Sequence, residues 1–82
     1  MDGYFNKDKT TLIAYRSKEK NYIIPNSVTN IGNRAFRGCK SLTKINIPDG
    51  VTHIGDEAFS WCENIPSKIQ SDIINRFGKE VF

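Results

Sequence analysis

The stretch "IPNSVTNIGNRAF", residues 24–36, returns twenty-three residues later as "IPDGVTHIGDEAF", residues 47–59. Carried on to residues 39 and 62, the two copies agree at nine of sixteen positions: Ile, Pro, Val, Thr, Ile, Gly, Ala, Phe and Cys. Agreement of that density at one fixed offset is an internal repeat. Its 23-residue period falls in the window where a strand and a short turn or helix make each coil of a solenoid.

Residue type dictates the shape of one coil. In "SLTKINIP" (41–48), Leu42, Ile45 and Ile47 are spaced to face one way, with Lys44 and Asn46 facing the other. Pro48, like Pro25, ends the strand because it has no N–H to give to a ladder. Val51 and Ile54 then point inward from a second short extended piece. Gly55 follows where a bend is easiest without a Cβ. Asp56, and Asn33 in the first copy, are placed to cap a single helical turn that Ala58, Phe59 and Cys62 close on its inner side. One coil is too thin to bury its own apolar residues. A neighbouring coil supplies the missing wall, with equivalent residues meeting in ladders about 4.8 Å apart.

The pattern "IPxxVTxIGxxAFxxC" followed by "xxLxxIxIP" resembles the BspA-like leucine-rich repeats of bacterial and protist surface proteins, clearly so over residues 22–65. The resemblance implies a solenoid with a strand-lined face for binding protein or cell-surface ligands. It also implies a cell-surface or secreted setting, and neither catalysis nor a cofactor.

The ends read as caps. "GYFNKDKTTLIAY" (3–15) is a β-hairpin: Tyr4 and Phe5 end one strand, residues 6–9 turn, and residues 10–15 return. "YRSKEKNYIIP" leads into the first repeat, where Tyr22 and Ile24 take the places of Ile45 and Ile47. At the other end, Ile65 begins a third coil in the place of Leu42, and Pro66 breaks its strand. In "SKIQSDIINRFG", Ser67 and Gln70 have capping-box spacing, Ile69, Ile73 and Phe77 share a stripe, and Gly78 suits a helix stop. An amphipathic helix of about ten residues over the open end of the stack is the expectation. The fold class is therefore α+β repeat, one 82-residue domain. It divides into hairpin cap and lead-in (1–21), repeat 1 (22–44), repeat 2 (45–65) and capping helix (66–82).

Composition agrees with one modest core: 38% of residues are hydrophobic and 26% charged. No apolar run approaches the ~20 residues of a membrane span, so membrane insertion is not expected. The opening "MDGYFNKDK" has no apolar core of a secretory leader. The net charge of +3 is uneven: residues 1–44 hold nine Lys or Arg against three acids, residues 45–82 three against six. A basic half admits an acidic partner. Lys7, Lys9, Arg16, Lys18 and Lys20 also suit solvated turns, and no aromatic-and-basic ladder for stacking bases accompanies them, which argues against nucleic acid.

Little else carries chemistry. Cys39 and Cys62 are equivalent in adjacent coils, about 5 Å apart at Cα, which admits either a disulfide or two buried thiols. Two Cys and the single His53 fall short of the four ligands of structural zinc, and His53 lies between inward Val51 and Ile54. No nucleophile–base arrangement and no phosphate loop is spaced for catalysis, so neither catalytic, metal nor cofactor-binding residues are assigned.

Candidate partner-binding residues are Asn21, Ile23, Lys44 and Asn46, on the outward side of the main strands. Trp61 joins them, standing where the first copy has Gly38. It either packs on the capping helix near Phe77 or serves as an aromatic anchor. Three strands of about three residues give a face of roughly 140 Å², well below the ~800 Å² per partner of a standard interface. Three functions follow: a non-catalytic binding module, a structural cap or spacer of a longer array, and an electrostatic binder of nucleic acid or acidic polymers. Self-association to enlarge the face remains open.

Overall fold

Short extended runs punctuated by Pro and Gly can form only short strands, and six of them appear in the computed structural model, which describes residues 3–82. They are β1 (Gly3–Phe5), β2 (Thr11–Tyr15), β3 (Asn21–Ile23), β4 (Asn30–Ile31), β5 (Lys44–Asn46) and β6 (His53–Ile54). A helix, α1 (Ser67–Phe77), and a 3₁₀ turn (Lys79–Val81) complete the chain. The strands form two sheets, one in the order β1-β2-β4-β6 and one of β3 and β5.

The hairpin forms as the sequence predicts. β1 and β2 are antiparallel, and Asn6 organises the turn by accepting the Thr10 and Thr11 N–H groups at 2.9 and 3.0 Å. Lys9 takes a left-handed φ of 59°. β2 does more than shield the first coil, because it pairs in parallel with β4 and stands as a zeroth rung of the stack. Leu12, Ile31 and Ile54 consequently form one ladder.

Coil stacks on coil through backbone bonds. Tyr15 N–H donates to Ala35 O, Phe36 N–H to Ala58 O and Phe59 N–H to Val81 O, each at 2.7 Å. The aromatic rings follow the same path, with centroids 5.2 Å apart for Tyr15–Phe36, 4.9 Å for Phe36–Phe59 and 5.5 Å for Phe59–Phe82. The core runs the length of this ladder and contains Val28, Ala35, Cys39 and Leu42 with their counterparts Val51, Ala58, Cys62 and Ile65.

The helical turn expected after Gly32 and Gly55 is instead a chain of β-turns. Arg34 and Glu57 have φ of 58° and 55°, which no right-handed helix accepts, and Gly38 and Trp61 close the next turn at 74° and 63°. Asn33 does not cap its own turn: its Oδ1 accepts Asp56 N–H of the following coil at 2.8 Å. Gly55 is required by this contact. A Cβ there would meet the Asn33 backbone nitrogen at 2.5 Å and its Cα at 2.8 Å.

The helix forms with the predicted stripe, Ile73 buried and Ile69 and Phe77 packed on the core. The capping box does not form. Pro66 occupies the N-cap without a side-chain bond, and Gln70 Nε2 donates back to Ile65 O at 2.9 Å. Arg76 pins the last turn, its guanidinium donating to Ile47 O at 3.2 Å and Pro48 O at 3.3 Å. Beyond Gly78 the repeat resumes. "GKEVF" (78–82) follows "GDEAF" (55–59) and "GNRAF" (32–36) at the same period, and Glu57 N–H bonds Glu80 O at 2.8 Å. Residues 67–77 therefore fill the slot of residues 44–54, with a helix in place of two strands.

Candidate functional site: the outward face of β3 and β5

β3 and β5 run parallel with Asn21 opposite Lys44, Tyr22 opposite Ile45 and Ile23 opposite Asn46. Alternation along each strand sends Tyr22 and Ile45 toward the core and leaves Asn21, Ile23, Lys44 and Asn46 exposed. The four residues singled out from the sequence thus lie together, and none of their side chains is engaged in a hydrogen bond or ion pair among the described residues. Ile23 is 73% exposed, an apolar side chain standing in solvent.

These four line a cleft of about 390 Å³ with Tyr22, Ile45 and Ile69. Ile69 is the contribution of α1, which walls the side where a third strand would stand. The sequence reading missed it, although Ile69 heads the stripe that identified the helix. The loss of a third strand shrinks the strand face to about 95 Å², with the helix as rim. Lys44 is the one charged group lining the cleft.

Trp61 lies elsewhere. It is 64% exposed and shares a second cleft, about 290 Å³, with Phe59, Ser60, Cys62, Glu63 and Phe82. No residue of α1 lines that cleft, so the packing against Phe77 expected from sequence is not what holds Trp61. The indole stands largely in solvent, on a backbone position with left-handed φ.

The thiols are buried and free. Cys39 Sγ donates to Tyr15 O at 3.4 Å and Cys62 Sγ to Phe36 O at 2.9 Å. The neighbouring Cys62 thiol holds the Cys39 thiol below its ordinary value, and the proximity of Cys39 together with burial pushes Cys62 well above it. His53 is exposed on β6. Among the described residues no group of three or more His, Cys, Asp or Glu is placed to hold a metal ion, and no helix is long and apolar enough to cross a membrane.

The sequence matches the BspA type leucine rich repeat region over residues 13–82. The chain belongs to that family. The match takes in β2 and the helical third coil as well as the two evident repeats. Among solved structures, a leucine-rich-repeat protein of T. pallidum is similar, at 20% identity and a TM-score of 0.47 over 78% of this chain. This chain spans 44% of that protein's length. No curated protein matches the sequence.

Proposed function

We propose that this leucine-rich-repeat chain is a non-catalytic recognition module that binds a protein or cell-surface ligand through the outward face of β3 and β5. The observation that carries this reading is the set Asn21, Ile23, Lys44 and Asn46: unengaged side chains on one rigid parallel pair, beside an apolar cleft walled by Ile69. An isoleucine 73% exposed between polar neighbours is the arrangement of an apolar contact with a polar rim. Membership of the BspA-type family supports a surface or secreted setting. The face is small, so affinity as a single copy is weak. Alanine at Ile23, Lys44 and Asn46 tests the reading, with binding measured against a panel of immobilised purified proteins and glycans. Loss of a specific interaction with unchanged melting is the expected result. A panel on which the native and triple-alanine chains behave alike sinks it.

A second reading is favoured by the two ends. α1 walls the stack beside β5, and the hairpin bonds to the first coil, the arrangement of a cap or spacer in a longer array. It predicts that the triple-alanine chain matches the native one in every interaction.

A further inference from the structure

A two-stranded sheet has two edges, and those of β3 and β5 are treated differently. In a parallel ladder, alternate residues turn both their N–H and C=O toward the same neighbour. Lys44 N–H donates to Lys20 O at 3.0 Å and Ile24 N–H to Asn46 O at 3.1 Å, which fixes the phase. Lys20, Tyr22 and Ile24 turn toward β5, and Asn21 and Ile23 turn away. The outer edge of β5 is walled by α1 through Ile69 and through Arg76 on the Ile47 and Pro48 carbonyls, a familiar means of protecting an edge. Among the described residues none gives the outer edge of β3 such cover. Neither Asn21 nor Ile23 has a backbone partner on that side among the described residues.

We propose that the outer edge of β3 accepts an extended acidic polypeptide as an added strand, bonded to the N–H and C=O groups of Asn21 and Ile23. The proposal deepens the binding reading and rests on it in one respect, that this sheet is the recognition surface. Three features define the occupant. Asn21 and Ile23 offer donor and acceptor together, repeating at about 6.6 Å, a spacing that extended backbone matches. A phosphate chain satisfies the donors and leaves the carbonyls facing its own negative oxygens, which excludes nucleic acid. Lys18 and Lys20 lead exposed into the strand and Lys44 stands opposite Asn21, with Glu19 the one acid beside them. That charge selects an acidic strand. A second copy is a poorer occupant, since antiparallel pairing of two β3 edges about a twofold axis sets Lys20 and Lys18 opposite Ile24 and Asn26 of the other chain and offers them no acid.

The test is a nitrogen-15 NMR titration of the full chain with a capped peptide of about eight alternating valine and glutamate residues. A lysine-for-glutamate counterpart and two isomers, N-methylated on one or the other alternate set of amides, serve as comparisons. The expected result is saturable movement of the Asn21 and Ile23 amide signals with that of Ile45 still. One methylated isomer retains binding, the other loses it, and the lysine peptide binds at least about tenfold more weakly. Asn21→Pro, which deletes one edge donor, weakens binding well beyond Asn21→Ala, which removes only the side chain. If the proline variant fails to fold, the methylated peptides decide on the native chain alone. Equal binding by both isomers, equal binding by the lysine peptide, or no saturable movement at millimolar peptide overturns the proposal. A peptide-free dimer built on the Asn21 and Ile23 amides overturns it in favour of a second copy. Binding that maps to Lys44 and Asn46, is lost in their alanine variants and ignores methylation overturns the edge and leaves the face reading standing.

Discussion

Phe82 stacks its ring 5.5 Å from that of Phe59, as Phe59 stacks 4.9 Å from Phe36. The last aromatic of the chain is thus a member of the central ladder and covers a ring that is itself fully buried. Phe82→Ala removes a half-buried aromatic and uncovers Phe59, at a cost of about 2 kcal/mol. Urea denaturation reads this directly. A variant as stable as the native chain means that the third coil contributes nothing to the stack.

Gly32 and Gly55 are equivalent in sequence and differ in surroundings. A Cβ at Gly55 presses on the Asn33 backbone, whereas one at Gly32 meets Ile13 O at 3.4 Å, which slight adjustment relieves. Gly55→Ala is expected to destabilise by about 2–3 kcal/mol and Gly32→Ala by about 1 kcal/mol or less. Equal melting shifts in the two variants refute the close contact between coils.

Two-copy identity made the coil, its inward residues and its outward strand face legible, because ladders require the same residue at the same place in each rung. The third coil was missed for one reason. Between Ile65 and Gly78 the apolar spacing changes from strand to helix, so Gly78 reads as a helix stop, and it is one: its N–H bonds Ile74 O at 2.7 Å. Its identity as the third repeat glycine was visible in "GKEVF" at the 23-residue period. The helical turn expected of Asn33 and Asp56 failed for another reason. Their caps suit a helix locally, but bonds to the neighbouring coil hold Arg34 and Glu57 in left-handed conformations. Tertiary pairing outweighed local preference.

Arg76 joins α1 to the second coil through two carbonyls and lies 4.7 Å from the centre of the Phe77 ring. Arg76→Ala should cost roughly 1–2 kcal/mol and free the helix from β5. Hydrogen exchange separates this from a general loss: protection falls in residues 67–77 first. Uniform loss of protection across both sheets argues that the helix is no separate unit.

The thiol pair gives the fold an alkaline limit. Cys62 is raised from the ordinary 9.0 by the neighbouring Cys39 thiol and by burial, and Cys39 is lowered by its proximity to Cys62. The raised group stabilises the fold fully below the unfolded thiol value. That stabilisation is lost as pH climbs past it, because the unfolded chain ionises first. The lowered group contributes oppositely, its benefit present above the unfolded value and lost on acidification through its folded one. Well above pH 9 the native pair keeps the Cys62 proton that the unfolded pair has lost. The melting temperature of the native chain should then fall more steeply than that of a double variant with Cys39→Ala and Cys62→Ala. Parallel curves for the two proteins dismiss the coupling. On alkylation, Cys39 should react before Cys62.

Trp61 holds φ 63° where the first copy has Gly38 at 74°. A side chain in this conformation costs about 1–2 kcal/mol, and an indole 64% exposed recovers little of that by packing. Trp61→Gly should therefore leave the fold as stable or raise stability by up to about 1 kcal/mol, the gain being offset by the freedom glycine adds to the unfolded chain. The reverse exchange, Gly38→Trp, should destabilise by a similar amount. Large destabilisation by Trp61→Gly would show that the indole packs on Phe82 as part of the fold. Retained stability means that the strain is carried for a purpose other than folding. Measuring ligand capture by this same stable variant then tells whether Trp61 belongs with Asn21, Ile23, Lys44 and Asn46 in one recognition surface or serves a second contact of its own.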